Sequence, residues 1–167
     1  QDGIYYREPS HLFINDGDGQ FADIVPIIGG ALSKPIVGRG AAYADYDKNG
    51  TLDIMVTENG GPVHLFRNDS DVHNFLRVNV KSISSNRDGL STKLIGITKN
   101  NRMQRRVKTG SSFMSHSETT ITFGLGNDEV LDSLYVYWPN GSMETFHNIY
   151  SGQEINIIEG QGNWVVQ

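Results

Sequence analysis

The chain has 167 residues, 37% of them hydrophobic and 20% charged, the mixture of a globular protein long enough for one medium domain or two small ones. A net charge of −5 argues against a general nucleic-acid binder, and the lack of cysteine excludes a disulfide scaffold and a thiolate metal site. No apolar run approaches the ~18 residues of a membrane-spanning helix, and the start at Gln1 without a charged-then-apolar leader reads as a processed or excised piece whose targeting signal, if any, is already gone.

Along the chain, HLFINDGDGQF begins at His11 and HLFRNDSDVHNF begins at His64, a repeat about 53 residues apart that matches the period of a propeller or solenoid unit. NDGDG (Asn15–Gly19) fits a tight hairpin turn better than a metal loop, because Asp23 lies too far along the following strand to complete a ligand set. The echo stops after Asn74, which predicts a boundary near Ser70–His73, with units at 1–73 and 74–167. Beyond it the period-2 patterns grow denser: LRVNVK sets Leu76, Val78 and Val80 on one face and Arg77, Asn79 and Lys81 on the other. TTITFGLG (Thr119–Gly126), SLYVYW (Ser133–Trp138) and EINIIE (Glu154–Glu159) read as strands in the same way. The turns between them include NRDG at Asn86–Gly89 and Asn140-Gly141, which predicts a type I′ hairpin turn. No stretch supports an amphipathic helix longer than two turns, so the expected class is all-β.

ADYDKNGTLDIMV (Ala44–Val56) is the most informative stretch. With Asp45 as position 1, Asp47 falls at 3, Asn49 at 5, Gly50 at 6, Thr51 at 7 and Asp53 at 9. Calcium takes about six to eight hard oxygens, and a tightly curled loop supplies them from alternate side chains plus a carbonyl at position 7. Asp45, Asp47 and Asp53 packed together repel one another unless a cation sits among them. Val56 stands where an EF-hand has its bidentate Glu, and the flanks are strand-like, so an EF-hand is excluded. The competing reading is a solvated Asx-rich turn; the spacing favours calcium, with Asp45, Asp47, Asn49, Asp53 and the Thr51 carbonyl as ligands.

Other chemistry is sparsely represented. His11, His64, His73, His116 and His147 form no metal pair, and the repeat positions of His11 and His64 point to structure rather than catalysis. Ser111 and Ser112 lie in a Gly-Ser-Ser turn with no nucleophile elbow. The basic stretch Lys99, Arg102, Arg105, Arg106 and Lys108 reads first as a solvated strand face. Its sharper reading is a contact with an acidic polysaccharide or with an acidic face of another copy. Tyr135, Tyr137 and Trp138 suggest a sugar platform, but successive strand positions face opposite ways, so core packing accounts for at least one of them. Sequons stand at Asn49, Asn68 and Asn140.

DYDKNGTLDI, preceded by GRGAAYA (Gly38–Ala44) and followed by HLFRN, resembles the FG-GAP or VCBS repeat, a calcium-loop propeller blade. The segment Asn74–Gly141 is similar to the ASPIC/UnbV domain, through Asn86-Arg87-Asp88-Gly89, Gly110-Ser111-Ser112, Phe123-Gly124-Leu125-Gly126 and Trp138-Pro139-Asn140-Gly141 in order. Where that family continues Ile-Gly-Ala after Asp88-Gly89, this chain has Leu90-Ser91-Thr92. The resemblance implies a secreted or cell-surface, non-enzymatic protein, with a partial propeller-type unit followed by an antiparallel β-sandwich. A ring of blades does not close on one period and a half, so either neighbouring repeats of a longer chain or other copies of this one cover the open edges. The expected function is a calcium-binding structural or adhesive module, self-assembling through strand edges. The alternative is a carbohydrate-binding appendage of a larger secreted protein.

Overall fold

The computed structural model describes residues 5–167. The first repeat folds as a hairpin, β1 (Phe13–Asn15) against β2 (Phe21–Asp23), turned by Asn15–Gly19 as expected. The side chains of Asn15, Asp16 and Asp18 accept backbone N–H groups of Gly17, Asp18 and Gln20, which is how Asx residues close a turn. A single helical turn, α1 (Val25–Ile28), leads to a three-stranded antiparallel meander of β3 (Gly38–Ala44), β4 (Asp53–Glu58) and β5 (Val63–Phe66).

Asn74 opens β6 (Asn74–Lys81), and there follow β7 (Lys93–Ile97), β8 (Arg102–Arg106), β9 (Gly110–Ser112), β10 (Ser115–His116), β11 (Ile121–Gly126), β12 (Val130–Tyr137), β13 (Met143–Tyr150), β14 (Gln153–Ile158) and β15 (Trp164–Val166). Two sheets, ordered β11-β6-β14-β15 and β13-β12-β7-β8, close on one core. Leu76, Val78, Val80, Phe123, Ile155 and Ile157 from the first sheet meet Leu94, Leu131, Leu134, Val136, Phe146 and Ile149 from the second. Each such side chain, fully removed from water, contributes about 1.5–3 kcal/mol before the entropy of ordering it is subtracted.

Two expectations need correction. The sandwich is not wholly antiparallel, because β14 runs parallel to β6, from Gln153↔Leu76 to Ile158↔Lys81. After β13 the chain crosses between sheets through Ser151-Gly152, and the Gly152 N–H donates to the Phe75 carbonyl at 2.7 Å, which seats β14 beside β6 instead of folding it back on β13. The turn at Asn140-Gly141 is not type I′: only Gly141 takes a positive φ, of 92°. Proline before the pair holds φ near −65°, so the chain makes an ordinary turn with Gly141 as the residue past it. Among the described residues no helix is long and apolar enough to cross a membrane.

Candidate metal centre

The loop between β3 and β4 is fixed at its mouth by the ladder. Ala44 pairs with Asp53, so Asp45, just past β3, and Asp53, opening β4, emerge side by side and are buried, while Asp47 stays exposed at the loop's rim. One oxygen from each of these three carboxylates lies within 4.8 Å of the others. The curl depends on Lys48 at φ 60° and Gly50 at φ 93°. A Cβ on Gly50 would also stand 2.2 Å from Cδ1 of Phe75, so this glycine is required by backbone conformation and by close approach alike.

Backbone donors cluster on the same carboxylates. Asp45 accepts the N–H of Asn49 at 3.0 Å and of Gly50 at 2.9 Å, and Asp53 accepts the N–H of Asn68 at 2.8 Å. Asn49 and Thr51 frame the loop: Asn49 Oδ1 accepts the Thr51 N–H at 2.7 Å, and Asn49 Nδ2 donates to Asp47 at 3.1 Å. The Thr51 hydroxyl is 2.6 Å from Asn49 Oδ1 and 2.9 Å from the Asn68 carbonyl. Of the five positions expected from spacing, the structure brings the three carboxylates together and uses the Asn49 and Thr51 side chains as bracing. A dense set of carboxylate oxygens on a short rigid loop has the donor chemistry of a hard divalent cation site.

Behind the loop stands a residue that the alternation misplaces. Arg77 falls at an outward position of β6, yet it is 4% exposed. Its guanidinium meets Asp45 at 3.2 Å, Glu118 at 2.8 Å and Glu154 at 2.8 Å. Burial pulls its pKa down, but hydrogen bonds to Glu118 and Glu154 and the charges of Glu118 and Asp45 outweigh that, so it is raised and the charge is fixed. The outward face of β6 is covered here by the acidic loop, and a strand pattern carries no mark of what will later cover its polar side.

The Gly-Ser-Ser turn has a structural role. β9 and β10 form a hairpin beside the free edge of β3. Hydroxyls of Ser112 and Ser117 accept the N–H groups of Ala41 and Tyr43, the Ser115 hydroxyl donates to the Ala41 carbonyl, and Glu118 accepts the Asp45 N–H. Side chains thus stand in for a missing neighbouring strand. A Cβ on Gly40 would lie 2.5 Å from the Phe113 carbonyl oxygen, so the hairpin seats only against glycine.

The two repeat histidines brace their strands in parallel ways. His11 stacks on Phe13 and meets Asp23 at 2.6 Å, and His64 stacks on Phe66 and meets Glu58 at 2.9 Å. The hydrogen bond from His64, with help from the Val37 N–H and Arg7, holds Glu58 below the ordinary carboxylate range against burial, and the His11 bond does the same for Asp23. A second polar knot went unread in the sequence: Glu159 accepts from the hydroxyls of Ser82 and Ser84, the N–H groups of Ile83 and Ser84, and Nδ2 of Asn140. Those two hydroxyls chiefly, and the two N–H groups, lower its pKa to about 2 despite burial. The amide nitrogens of Asn49, Asn68 and Asn140, the sequon residues, all donate within the fold.

The basic stretch does not make one patch. Arg102 and Arg106 share a face of β8, Arg105 points to the other and donates to the Gln104 carbonyl, and Lys108 lies outside the strand. Trp138 is buried and donates to Glu144 at 2.6 Å, whereas Tyr135 and Tyr137 share the outer face of β12.

An all-β chain with an Asp-rich loop between two strands, followed by a sandwich, defines a class that the comparisons resolve. Residues 4–56 match the FG-GAP-like repeat and residues 82–163 match the family described as ASPIC and UnbV. The chain carries an FG-GAP-like repeat followed by an ASPIC/UnbV domain. Among curated proteins it is similar to cartilage acidic protein 1 of Homo sapiens, 30% identical over 86% of this chain and 22% of that protein. The Mus musculus protein of the same name is 31% identical over 85% and 22%, and that of Xenopus tropicalis 30% over 93% and 25%. The chain therefore spans about a quarter of the length of these relatives or less.

Proposed function

We propose that this chain is a calcium-stiffened, non-enzymatic extracellular interaction module, with a propeller-type unit at 1–73 docked on a sandwich unit at 74–167. The observation that carries the reading is the convergence of Asp45, Asp47 and Asp53 within 4.8 Å on a loop whose curl is fixed by Gly50. Calcium among these oxygens would be held by the three carboxylates, with the Thr51 carbonyl and Asn49 of the loop completing the set, and would supply the positive charge that lets the carboxylates stay together. The relatives' description as cartilage acidic proteins supports an extracellular setting. Met55 and Leu65, opposite each other on one face of the meander, are exposed, as is Val63, which supports packing of that face against neighbouring repeats or another copy.

The test is thermal unfolding across a series of free calcium concentrations buffered with chelator, with light scattering recorded alongside. The melting temperature rises with the logarithm of free calcium, by the equivalent of about 2.7 kcal/mol at a hundredfold excess over Kd. Asp47→Asn is the clean variant, since Asp47 is exposed and has no bond to Arg77; it should weaken the calcium response while leaving the chelated protein's stability unchanged. An unshifted melting temperature in wild type would reject the metal reading. Scattering that grows with protein concentration separates assembly of copies from a module that needs neighbouring repeats.

A further inference from the structure

The second sheet of the sandwich has an outer face whose charge does not match the rest of the chain. The registers set Lys93 opposite Arg106, Ile95 opposite Gln104 and Ile97 opposite Arg102, then Tyr135 opposite Ile95 and Tyr137 opposite Lys93. Residues in register across a ladder share a face, so Lys93, Arg102, Gln104, Arg106, Tyr135 and Tyr137 lie together, while Leu94, Leu134 and Val136 turn inward to the core.

Two facts about this face point to a ligand. Lys93 and Arg106 are like charges directly opposite each other, an arrangement that costs stability. Yet none of Lys93, Arg102 and Arg106 has a carboxylate within ion-pair distance among the described residues, although the chain holds 19 Asp and Glu against 14 Lys and Arg. Asp45, Asp47 and Asp53 converge in the metal loop, Glu118 and Glu154 meet Arg77, and Asp23 and Glu58 meet the histidines. The Lys93 ammonium is also held 4.2 Å over the centre of the Tyr137 ring, which fixes its position on the face.

We infer that the outer face of β8, β7 and β12 binds an acidic polysaccharide, a chain of sugar rings bearing carboxylate or sulfate groups. Arg102 and Arg106, four residues apart on one strand and so about 13 Å apart, engage successive anionic groups, with Lys93 between their strand and the tyrosines. The half-buried ring of Tyr135 offers flat apolar surface to the face of a sugar, while the Tyr137 ring holds Lys93 in place. The choice of a glycan over other polyanions rests on the extracellular reading above. An acidic chain bearing only a local cationic face is not built for nucleic acid.

The test is affinity for immobilised chondroitin sulfate, with dextran, single-stranded DNA and poly-glutamate as competitors, measured over a salt series with and without chelator. The wild-type protein should bind chondroitin sulfate more weakly as salt rises, and dextran should not compete. Lys93→Gln/Arg102→Gln/Arg106→Gln should lose about tenfold in affinity or more and flatten the salt dependence. Arg105→Gln, on the opposite face, should bind as wild type. Tyr135→Ala should weaken glycan binding without changing the salt slope, a split that a purely electrostatic surface does not give. Equal competition by DNA or poly-glutamate, or an unaffected triple variant, would overturn the proposal. Binding that persists in chelator with an unchanged calcium-free fold separates this face from the metal loop, so the two readings fail independently.

Discussion

The two halves of the molecule are held by different means. Every member of the main hydrophobic core lies between Leu76 and Ile157. Among the described residues before Asn74, only Val25 and Val37 are buried apolar side chains, while Phe13 is 58% and Phe21 63% exposed. The sandwich is thus organised by area removed from water, whereas the repeat unit is organised by directed polar ties: the loop around Asp45, the serine-capped β3 edge, and Arg77. Among the described residues no second sheet buries an apolar core with this meander, and hydrogen bonds with charge pairs take the place of one.

The largest way to break the contrast is through the core. Phe123→Ala, at a fully buried site, should cost about 3–5 kcal/mol and unfold both halves together in denaturant, because the repeat unit depends on the sandwich it leans on. Arg77→Met should cost about 3 kcal/mol or more by leaving Asp45, Glu118 and Glu154 without their shared cation. Unlike the core change, it should give a first transition confined to the repeat unit, seen as early loss of amide protection in β3 and β4. Gly40→Ala should cost about 1–3 kcal/mol through the clash with the Phe113 carbonyl. Hydrogen exchange should then quicken in β3 and the β9–β10 hairpin and stay unchanged in β6, β12 and β14; a uniform change would deny that the edge is locally capped.

The smallest effect is confined to acid. Glu159 has a folded pKa of about 2 against an ordinary 4.5, so the stability it contributes is present above that ordinary value and is lost as pH falls towards 2. Glu159→Gln should flatten the acid limb of the stability curve between those values and leave the slope above pH 5 alone.

Much of this was legible from sequence. Strands with one face in the core, such as LRVNVK and SLYVYW, carry their burial in the alternation, and the acidic loop carries its curl in Gly50. What escaped was set by partners distant in sequence. Arg77 has the parity of a solvent-facing residue and is buried because Asp45 and Glu118 arrive over it. Serines at 112, 115 and 117 look like turn composition until the open edge of β3 gives their hydroxyls something to bond. The parallel run of β14 beside β6 follows from the crossover at Ser151-Gly152, and no local pattern in either strand encodes direction.

The serine-capped edge also sets an order of events during synthesis. The groups that close β3 lie 71 to 74 residues downstream of it. A ribosome adding about 5–20 residues per second leaves that edge bare for roughly 4–15 s after β3 has been made, with Met55, Val63 and Leu65 on the same nascent sheet. The half made first is therefore finished last, and the interval before Glu118 is added is when the nascent chain is most open to pairing with the wrong strand.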